Sequence, residues 1–529
     1  MNANRENVAG FRGGWARGGA IAVLVLGAGS AAAQCPPQWV PQVGISGGTT
    51  PVIFSMVLWD PDGEGPAPEV LVAAGEFTTA GTTTVNNIAT WDGSAWSALD
   101  GGMNAGVNSL AVLASGELVA AGSFTVAGST PANYIATWNG TSWSALGTGM
   151  NNEVNSVVVM PNGDLIAGGF FNTAGGLTVN RVARWDGSAW SAMSTGMNNI
   201  VWTLAVMSEG DLVAGGSFTT AGGKLVNRIA RWNGTAWSAL GGANSNVFSL
   251  ATAPNGDLYA GGQFTFIGTT PASRVARWNG TSWSPMSTGI LGNVWGFAFP
   301  SNGDVIACGL FVFPASQITR WDGSVWNDIG GGTDAGVFQV MVQPNDDLLA
   351  GGMFTAAGGT PAAGLALWTT PVAPTVSSPP QDLNGCPYSA ATFTVGATGT
   401  GPLTYAWRKD GVVLSDGAGG GGGGGAGTIS GATTDTLTIA PPVPGVLSLA
   451  DAGVYDCVVS NTCDAATSAG ATLTICPADY DCNTFVNGDD FDAFVQAFVY
   501  GEPAADIDGN EFVNGDDFDF YVERFVAGC

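Results

Sequence analysis

A segment of about 47 residues recurs seven times between residues 39 and 369, and this repetition constrains the fold more than any other feature of the chain. Each copy contains the string Gly-x-Phe, and in six copies a Trp follows that Phe after fourteen residues. The sixth copy is shorter, because its Trp321 follows after only ten. The Phe residues of the seven copies are Phe77, Phe124, Phe171, Phe218, Phe264, Phe311 and Phe354.

Each copy predicts four short β-strands, which in the second copy span residues 107–112, 117–124, 133–139 and 142–146. Asn-Gly or Asp-Gly pairs between the last two strands favour tight hairpins, since these residues tolerate positive φ. Four strands in roughly 40–50 residues are typical of one blade of a β-propeller. We therefore predict a mainly β protein with a seven-bladed β-propeller over residues 34–370.

The two ends of the repeat region predict a pairing between them. The seventh copy ends at Trp368 without an outer strand, and the string QWVPQVG around Trp39 is typical of an outer strand that lacks a blade. We expect the strand at Trp39 to complete the seventh blade. Such a pairing also removes exposed sheet edges, which invite aggregation.

The repeat wording AGxFTxAGxxxxNxIAxWDGxxWxxLG resembles kelch-like propellers. It is more similar still to repeats of secreted bacterial proteins and of a fungal cell-polarity landmark protein. The resemblance implies a propeller without implying a chemistry, because propellers include enzymes and pure binding proteins. We expect one face to bind a protein or a glycan.

Two polar residue types recur within the copies. Asn104, Asn151 and Asn198 either cap turns, which their residue type favours, or face a ligand. Arg residues directly before a Trp are expected to pack their stems on the neighbouring sheet and present their charge to solvent. They are Arg184, Arg231, Arg277 and Arg320.

Residues 1–33 predict a signal peptide, with a basic start, an apolar stretch at residues 20–29 and small residues before Gln34. The apolar stretch is too short to span a bilayer, and no transmembrane anchor is predicted later in the chain. We therefore expect a secreted protein that is extracellular or held at the cell surface. A formal charge of −27 argues against a nucleic-acid partner.

Eight Cys residues in an exported chain predict disulfides, although the sequence does not define their pairing. Cys308 stands where other copies have Gly or Ala and is predicted to be a small buried thiol. The chain has no His, which excludes Ser-His-Asp and Cys-His catalysis and His-ligated zinc or copper. No other catalytic constellation is evident, so we predict a protein that is not an enzyme.

A Pro-rich linker at residues 371–380 precedes a segment, residues 381–475, that resembles an immunoglobulin-like domain. Trp407 is the expected core tryptophan and Tyr455 the expected tyrosine corner. Val395 stands near the position of the usual first Cys, so Cys457 is expected to pair instead with Cys386 or Cys463. The glycine run at residues 417–427 predicts a flexible surface loop.

Two near-copies of an acidic string, DYDCNTFVNGDD and DIDGNEFVNGDD, lie in residues 476–529. Each places oxygen ligands at positions 1, 3, 5, 9 and 12 of a loop, with a backbone carbonyl at position 7, which is the EF-hand spacing for Ca2+. Apolar residues at helical spacing follow each loop and predict helical segments at residues 489–500 and 516–527. The first predicted ligand set is Asp479, Asp481, Asn483, the carbonyl of Phe485, Asn487 and Asp490; the second is Asp506, Asp508, Asn510, the carbonyl of Phe512, Asn514 and Asp517.

A loop followed by a helix, twice over, resembles a dockerin. The resemblance implies two Ca2+ sites and a small α-helical tail that docks on a cohesin-like partner. The implied partner-binding residues are Gly488, Asp489, Gly515 and Asp516. Thr484 and Glu511 replace the Gly that EF-hand loops have at position 6. The tail could equally attach the chain to a cell-envelope protein.

Together these features favour an exported, non-catalytic binding or display protein, whose propeller recognises a protein or glycan and whose tail attaches it through Ca2+. Two alternatives stay open. One is an enzyme or accessory subunit that acts on polysaccharide within an extracellular complex. The other is a structural or adhesion component of the cell envelope.

Overall fold

The computed structural model describes residues 35–528 apart from residues 49, 64, 66–67, 386–388, 419–426, 442–446, 448, 484 and 508–511. The described chain is mainly β, with two α-helices near its C-terminus. It divides into two compact units, Cys35–Val372 and Ala373–Cys529. No helix in this part of the chain has the length and apolarity to cross a membrane. The predicted signal peptide, residues 1–33, lies outside the described residues.

The first unit contains seven four-stranded antiparallel sheets, numbered here 1 to 7 in chain order. Sheet 1 comprises Val52–Trp59, Val70–Glu76, Ile88–Trp91 and Trp96–Ala98, and sheet 2 comprises Val107–Val112, Leu118–Gly122, Ile135–Trp138 and Trp143–Ala145. Sheet 3 comprises Val154–Val159, Leu165–Gly169, Val182–Trp185 and Trp190–Ala192, and sheet 4 comprises Val201–Val206, Leu212–Gly216, Ile229–Trp232 and Trp237–Ala239. Sheet 5 comprises Val247–Thr252, Leu258–Gly262, Val275–Trp278 and Trp283–Pro285, and sheet 6 comprises Leu291–Ala298, Val305–Phe313, Ile318–Trp321 and Trp326–Asp328.

Sheet 7 joins the two ends of the first unit. Its strands are Val337–Val342, Leu348–Gly352 and Leu365–Thr369, and the N-terminal strand Gln38–Pro41 pairs with the last of these. In this register Trp39 lies opposite Trp368, and Trp39 Nε1 donates to the carbonyl of Ile329 at 2.9 Å. The predicted pairing of the chain's first strand with the seventh copy is therefore present.

Small two-stranded hairpins accompany six of the described sheets. They explain the length of the repeat, because the sixth copy extends its second strand, Val305–Phe313, in place of a hairpin and is the short copy. The hairpin strands are Thr79–Ala80 with Thr83–Thr84, Val126–Ala127 with Thr130–Pro131, Thr173–Ala174 with Leu177–Thr178, Thr220–Ala221 with Lys224–Leu225, Phe266–Ile267 with Thr270–Pro271, and Ala356–Ala357 with Thr360–Pro361. The strand Ile45–Ser46 pairs with the first of them.

The outermost Trp of each sheet ties it to its neighbour. In sheet 3, Trp190 is 4% exposed and its Nε1 donates to the carbonyl of Leu146, 2.8 Å away, at the end of sheet 2. The same bond recurs from Trp96, Trp143, Trp237, Trp283 and Trp326 to Val43, Leu99, Met193, Leu240 and Met286. Five of these Trp residues are buried in the core, and Trp326 is half-buried.

Contacts also join the first strands of sheets 7 and 1. The side chain of Gln339 donates to the carbonyl of Met56 at 2.9 Å and accepts from the Met56 amide. The mainly β prediction is confirmed. The seven-bladed β-propeller is not established at that level, because the described residues show seven small sheets and local contacts between them.

Either Asp or Asn occupies one position of the outer hairpins, and both make the same bonds. Oδ1 of Asp92 accepts from the Ser94 amide, the Ser94 hydroxyl and the Ala95 amide, each at 2.8 Å. Oδ1 of Asn139 accepts the equivalent three at 2.9 Å. Bonds of this kind, led by the one from the Ala189 amide, lower the pKa of Asp186 to about 2.

Replacing Asp92, Asp186 and Asp322 together by Asn is expected to make the melting temperature fall less steeply as the pH is lowered. A carboxyl whose folded pKa is depressed contributes stability above its unfolded pKa of about 3.9, and this is lost as pH falls through the folded value. Hydrogen bonds, the first from the amides of Ala95 and Val325, also lower the pKa of Asp92 and Asp322. Thermal unfolding between about pH 5 and pH 2 measures the effect.

The matched control for these hairpins exchanges two exposed Asp residues on helices, Asp492→Asn and Asp519→Asn. It should leave the acid dependence of the first unit unchanged. If acidification lowered the melting temperature of the triple variant and of the native protein equally, the hairpin carboxylates would not be the cause of the acid dependence.

The second unit begins with an immunoglobulin-like sandwich. One sheet comprises Leu383–Gly385, Ala471–Ile475, Gly453–Ser460, Thr404–Lys409 and Val412–Val413, with Ala465–Thr467 beside Gly453–Ser460. Another comprises Ala391–Thr394, Thr436–Ala440, Thr428–Ser430 and Gly417–Ala418, and Thr375–Ser378 pairs with Gly396–Thr398. Trp407 is fully buried, and the hydroxyl of Tyr455 donates to the carbonyl of Asp451 at 2.6 Å, as a tyrosine corner requires. The glycine run 417–427 lies mostly outside the described residues.

The cysteines correct one prediction. Cys457 is a buried free thiol and pairs with neither Cys386 nor Cys463. It shares an apolar core with Val395, and burial raises its pKa to about 11. Cys308 is also a buried thiol, as predicted. Among the described cysteines, those in disulfide bonds are Cys35, Cys463, Cys476 and Cys482.

Two helices end the described chain, α1 at Gly488–Tyr500 and α2 at Gly515–Ala527, with a short 3-10 turn at Pro503–Ala505 between them. The predicted helical segments, residues 489–500 and 516–527, agree with them within one residue. Phe494 of α1 and Tyr521 of α2 occupy equivalent positions and stack with ring centroids 3.9 Å apart. This pair forms the centre of the tail's apolar core.

Candidate metal centre

The first acidic loop leads into α1 and is organised by the start of that helix. Asn487 is the N-cap, and its side chain accepts from the Asp489 amide at 2.7 Å. Asp490 closes a capping box, since its Oδ2 accepts from the Asn487 amide at 2.9 Å. Two of the predicted ligands are thus positioned by helix capping, which is worth about 1 kcal/mol for the Asn alone.

The loop turns the remaining acids toward Asp490. The Asp481 amide donates to Asp490 Oδ1 at 3.0 Å. The Asn483 amide donates to Oδ1 of both Asp479 and Asp481 at 3.0 Å, and the Phe485 amide donates to Asn483 Oδ1 at 2.8 Å. As a result, one carboxylate oxygen each from Asp479, Asp481 and Asp490 lies within 4.8 Å of the others.

These three oxygens fit a calcium ion. Ligands at 2.3–2.6 Å from Ca2+ stand at most about 4.6–5.2 Å apart, and a carboxylate oxygen that accepts one amide keeps a second lone pair. Asp490 is fully buried and held by amide hydrogen bonds, whereas the Asp481 carboxylate is exposed to solvent. The donor set is oxygen alone, as a hard cation prefers.

The charges in the loop also favour a cation. Partial loss of hydration raises the pKa of Asp481, and the carboxylates of Asp490 and Asp479 add to this, against the hydrogen bond from the Asn483 amide. Burial and then the charge of Asp490 raise the pKa of the Tyr521 phenol. The cluster therefore sits in a negative potential that a divalent cation would relieve.

The second loop repeats the cap. Asn514 is the N-cap of α2, and its side chain accepts from the Asp516 amide at 2.6 Å. The buried Asp517 accepts from the amides of Ile507 and Asn514 at 3.0 and 2.8 Å. The carbonyl of Phe512, the predicted position-7 ligand, accepts from Asn514 Nδ2 at 3.4 Å. Asp506 precedes this cap, while the predicted ligands Asp508 and Asn510 lie outside the described residues, as do Thr484 and Glu511.

The two loops are joined by a common core and by symmetry. Tyr480 and Ile507, at position 2 of their loops, are both buried in the core that contains Phe494 and Tyr521. The Tyr521 hydroxyl also donates to the carbonyl of Ala478 at 3.3 Å. Both loops therefore contact the same apolar core as the two helices.

The implied partner-binding residues lie in the first turns of the helices. Gly488 and Asp489 begin α1, Gly515 and Asp516 begin α2, and all four are exposed. Sequence reasoning missed the role of Cys482, which occupies position 4 of the first loop with φ 60° and is disulfide-bonded. A Cys inside a ligand loop of an exported chain is the signal that points to this constraint.

The recurrent polar residues of the repeats have local partners. Asn104 Oδ1 accepts from the amides of Thr125 and Val126 at 2.9 and 3.0 Å, so it caps a hairpin, and Asn151 and Asn198 make the same bonds. The Arg residues do not simply present charge to solvent. Each forms an ion pair with the Asp of its own inner hairpin, and the pairs are Arg184 with Asp164, Arg231 with Asp211, Arg277 with Asp257 and Arg320 with Asp304.

No family model and no curated protein matches the sequence. Among solved structures, a protein described as the extracellular domain of a hybrid two-component system from B. thetaiotaomicron is 11% identical over 69% of this chain and 47% of that one, with a TM-score of 0.43. A single titin domain is 28% identical over 20% of this chain and 96% of that domain, with a TM-score of 0.16. A titin I-band fragment is 26% identical over 20% of this chain and 32% of the fragment, also with a TM-score of 0.16. The chain thus spans about half or less of the length of the two-component-system domain and of the titin I-band fragment.

These comparisons contradict the identification of the chain with kelch-like or secreted-repeat propellers followed by an immunoglobulin-like domain and a dockerin-like module. No family model matches the chain, and its described residues form seven small sheets that do not establish a closed propeller. The reason is physical. Short strands with Asn-Gly and Asp-Gly turns meet the needs of any tight hairpin, so the repeat wording specifies a four-stranded unit and not a family.

Proposed function

We propose that the chain is an exported, non-catalytic binding protein that is held at the cell surface or in an extracellular assembly by a calcium-dependent tail. The observation that carries this proposal is the cluster of Asp479, Asp481 and Asp490, whose ligand oxygens lie within 4.8 Å of one another. A bound Ca2+ would neutralise their mutual repulsion and hold the loop against α1. Because Asp490 also caps α1, occupancy of the loop and order of the helix are coupled.

The second part of the proposal is that the two equivalent helix starts bind the same kind of partner protein. The exposed first turns of α1 and α2 carry the same Gly-Asp-Asp string. Their helices stack through equivalent residues, Phe494 and Tyr521. A partner that recognises one helix start can therefore recognise the other. Cation binding orders both surfaces through their common core.

The third part concerns the seven sheets, which we infer to stand as seven blades around a common axis. Support comes from the pairing of Gln38–Pro41 with Leu365–Thr369 and from the bonds between Gln339 and Met56. A rigid frame of this kind would present loops from all seven copies as one recognition surface for a protein or glycan.

Retention of the full chain on the native extracellular or envelope fraction tests the attachment. We expect retention with Ca2+ and release by a chelator. The double variant Asp479→Asn, Asp481→Asn should be released under both conditions. The control Asp492→Asn makes the same kind of exchange at an exposed site on α1 and should behave as the native chain. If the native chain were retained in chelator and the double variant were retained with Ca2+, calcium-dependent attachment would be refuted.

A further inference from the structure

A cavity of about 560 Å³ lies among the first strands of the seven sheets. Each first strand contributes the residue that follows its buried Val or Ile, so one equivalent position of all seven copies lines the same space. These residues are Phe54, Asn108, Asn155, Trp202, Phe248, Trp295 and Phe338. Five of the seven are aromatic, and all seven are half-buried.

The aromatic residues hold one another in place. Trp295 stacks on Phe338 at 4.4 Å with ring planes 10° apart, and Phe54 meets Phe338 edge-on at 4.9 Å. Trp202 meets Phe248 edge-on at 5.9 Å, and its Nε1 donates to the Ser217 hydroxyl at 2.9 Å. The cavity therefore has rigid apolar walls, which lower the entropy cost of binding.

Asn residues form the polar part of the wall. The Asn108 side chain donates to the carbonyl of Val154 at 3.1 Å, and that of Asn155 donates to the carbonyl of Val201 at 2.9 Å. Each amide is thus oriented by the neighbouring sheet. Its second N–H and its oxygen have no partner among the described residues and can serve a ligand.

The charge of the wall restricts the ligand. Glu153 is the one charged residue among those that line the cavity, and no Lys or Arg lines it. An anionic ligand would lack a counter-ion and meet a strongly acidic protein. A cation could use the aromatic rings and Glu153 but not the amide N–H donors. A neutral saccharide uses both, because its apolar C–H faces pack on rings and its hydroxyls exchange hydrogen bonds with amides.

We propose that this cavity binds a neutral saccharide, as the chain end of an uncharged polysaccharide or glycan. The proposal rests on the recognition role given above to the seven sheets and names its ligand class. It is independent of the tail, because the cavity and the carboxylate cluster lie in different compact units.

Titration calorimetry of the full chain with hexasaccharides of glucose, xylose, mannose and N-acetylglucosamine tests this proposal. We expect at least one to bind with a Kd of about 1 mM or tighter, equally with Ca2+ and with chelator. Phe248→Ala should weaken that binding at least about tenfold. The control Phe266→Ala removes the same side chain from an exposed hairpin of the same copy, where it is 45% exposed, and should leave the affinity unchanged.

Asn155→Ser guards against a folding defect, since it shortens a partly buried polar side chain and should also weaken binding while the melting temperature stays near native. The proposal would be overturned if choline or a galacturonic acid hexamer bound and none of the four neutral sugars did. It would also be overturned if none of these probes bound. Saccharide binding without calcium-dependent retention would instead refute the attachment role alone.

Discussion

Trp39→Ala is expected to destabilise the Cys35–Val372 unit by about 3–5 kcal/mol, the range for deleting a large buried aromatic side chain. Trp39 is 4% exposed, lies opposite Trp368 and bonds the carbonyl of Ile329. Its strand is the N-terminal contribution to sheet 7, so its loss also frees the edge of Leu365–Thr369. Urea unfolding of the full chain, followed by tryptophan fluorescence, measures the change.

Two milder changes separate packing from hydrogen bonding at this strand. Trp39→Phe keeps most of the ring and removes the N–H, so it should cost about 1–3 kcal/mol for the carbonyl left without its partner. Gln38→Ala, at a partly exposed position of the same strand, should cost less than either. A Trp39→Ala variant as stable as the native chain would mean that the N-terminal strand does not hold sheet 7 together in solution.

Calcium at about 100 times its Kd is expected to stabilise the tail by about 2.7 kcal/mol and to raise helix content in the full chain. The three clustered carboxylates repel one another without a cation, and Asp490 links the loop to the cap of α1. Asp481→Asn keeps the size of an exposed ligand and removes its charge. It should weaken binding at least about tenfold, or 1.4 kcal/mol.

Circular dichroism and calorimetric titration on the same samples check the calcium prediction. Asp492→Asn supplies the matched charge change on the exposed face of α1 and should leave the titration as in the native chain. An unchanged spectrum and no heat at millimolar Ca2+ would rule out the proposed site. A full response in Asp481→Asn would show that the ion binds elsewhere.

The local part of this fold was predictable, because its determinants lie within a few residues of one another. Tight hairpins follow from pairs such as Asn139-Gly140, where Gly140 adopts φ 95°. The helix starts follow from Asn487 and Asn514, each with an Asp three residues later. The strand order within sheets 1 to 6 is likewise sequential, so short-range patterning determines it.

Side-chain partnerships between strands were not predictable in the same way. The Asp164–Arg184 pair joins residues twenty positions apart, and only the recurrence of this spacing in other copies hints at it in the sequence. Cys457 was expected to be oxidised, yet Val395 supplies its apolar neighbour in the core and the thiol stays free. Burial decides such cases, and burial is a property of the assembled sandwich.

The sequence by itself determined the repeat, its four-stranded copies, the sandwich, the helices and the candidate calcium ligands, since each is set by residue spacing along a short stretch of chain. Only the tertiary structure decided that Asp490 is fully buried while Asp481 stays exposed, and that Phe248, Trp295 and their equivalents line one cavity. The cavity residues are half-buried positions on separate strands. Their meeting depends on how whole elements pack, and no local pattern encodes that.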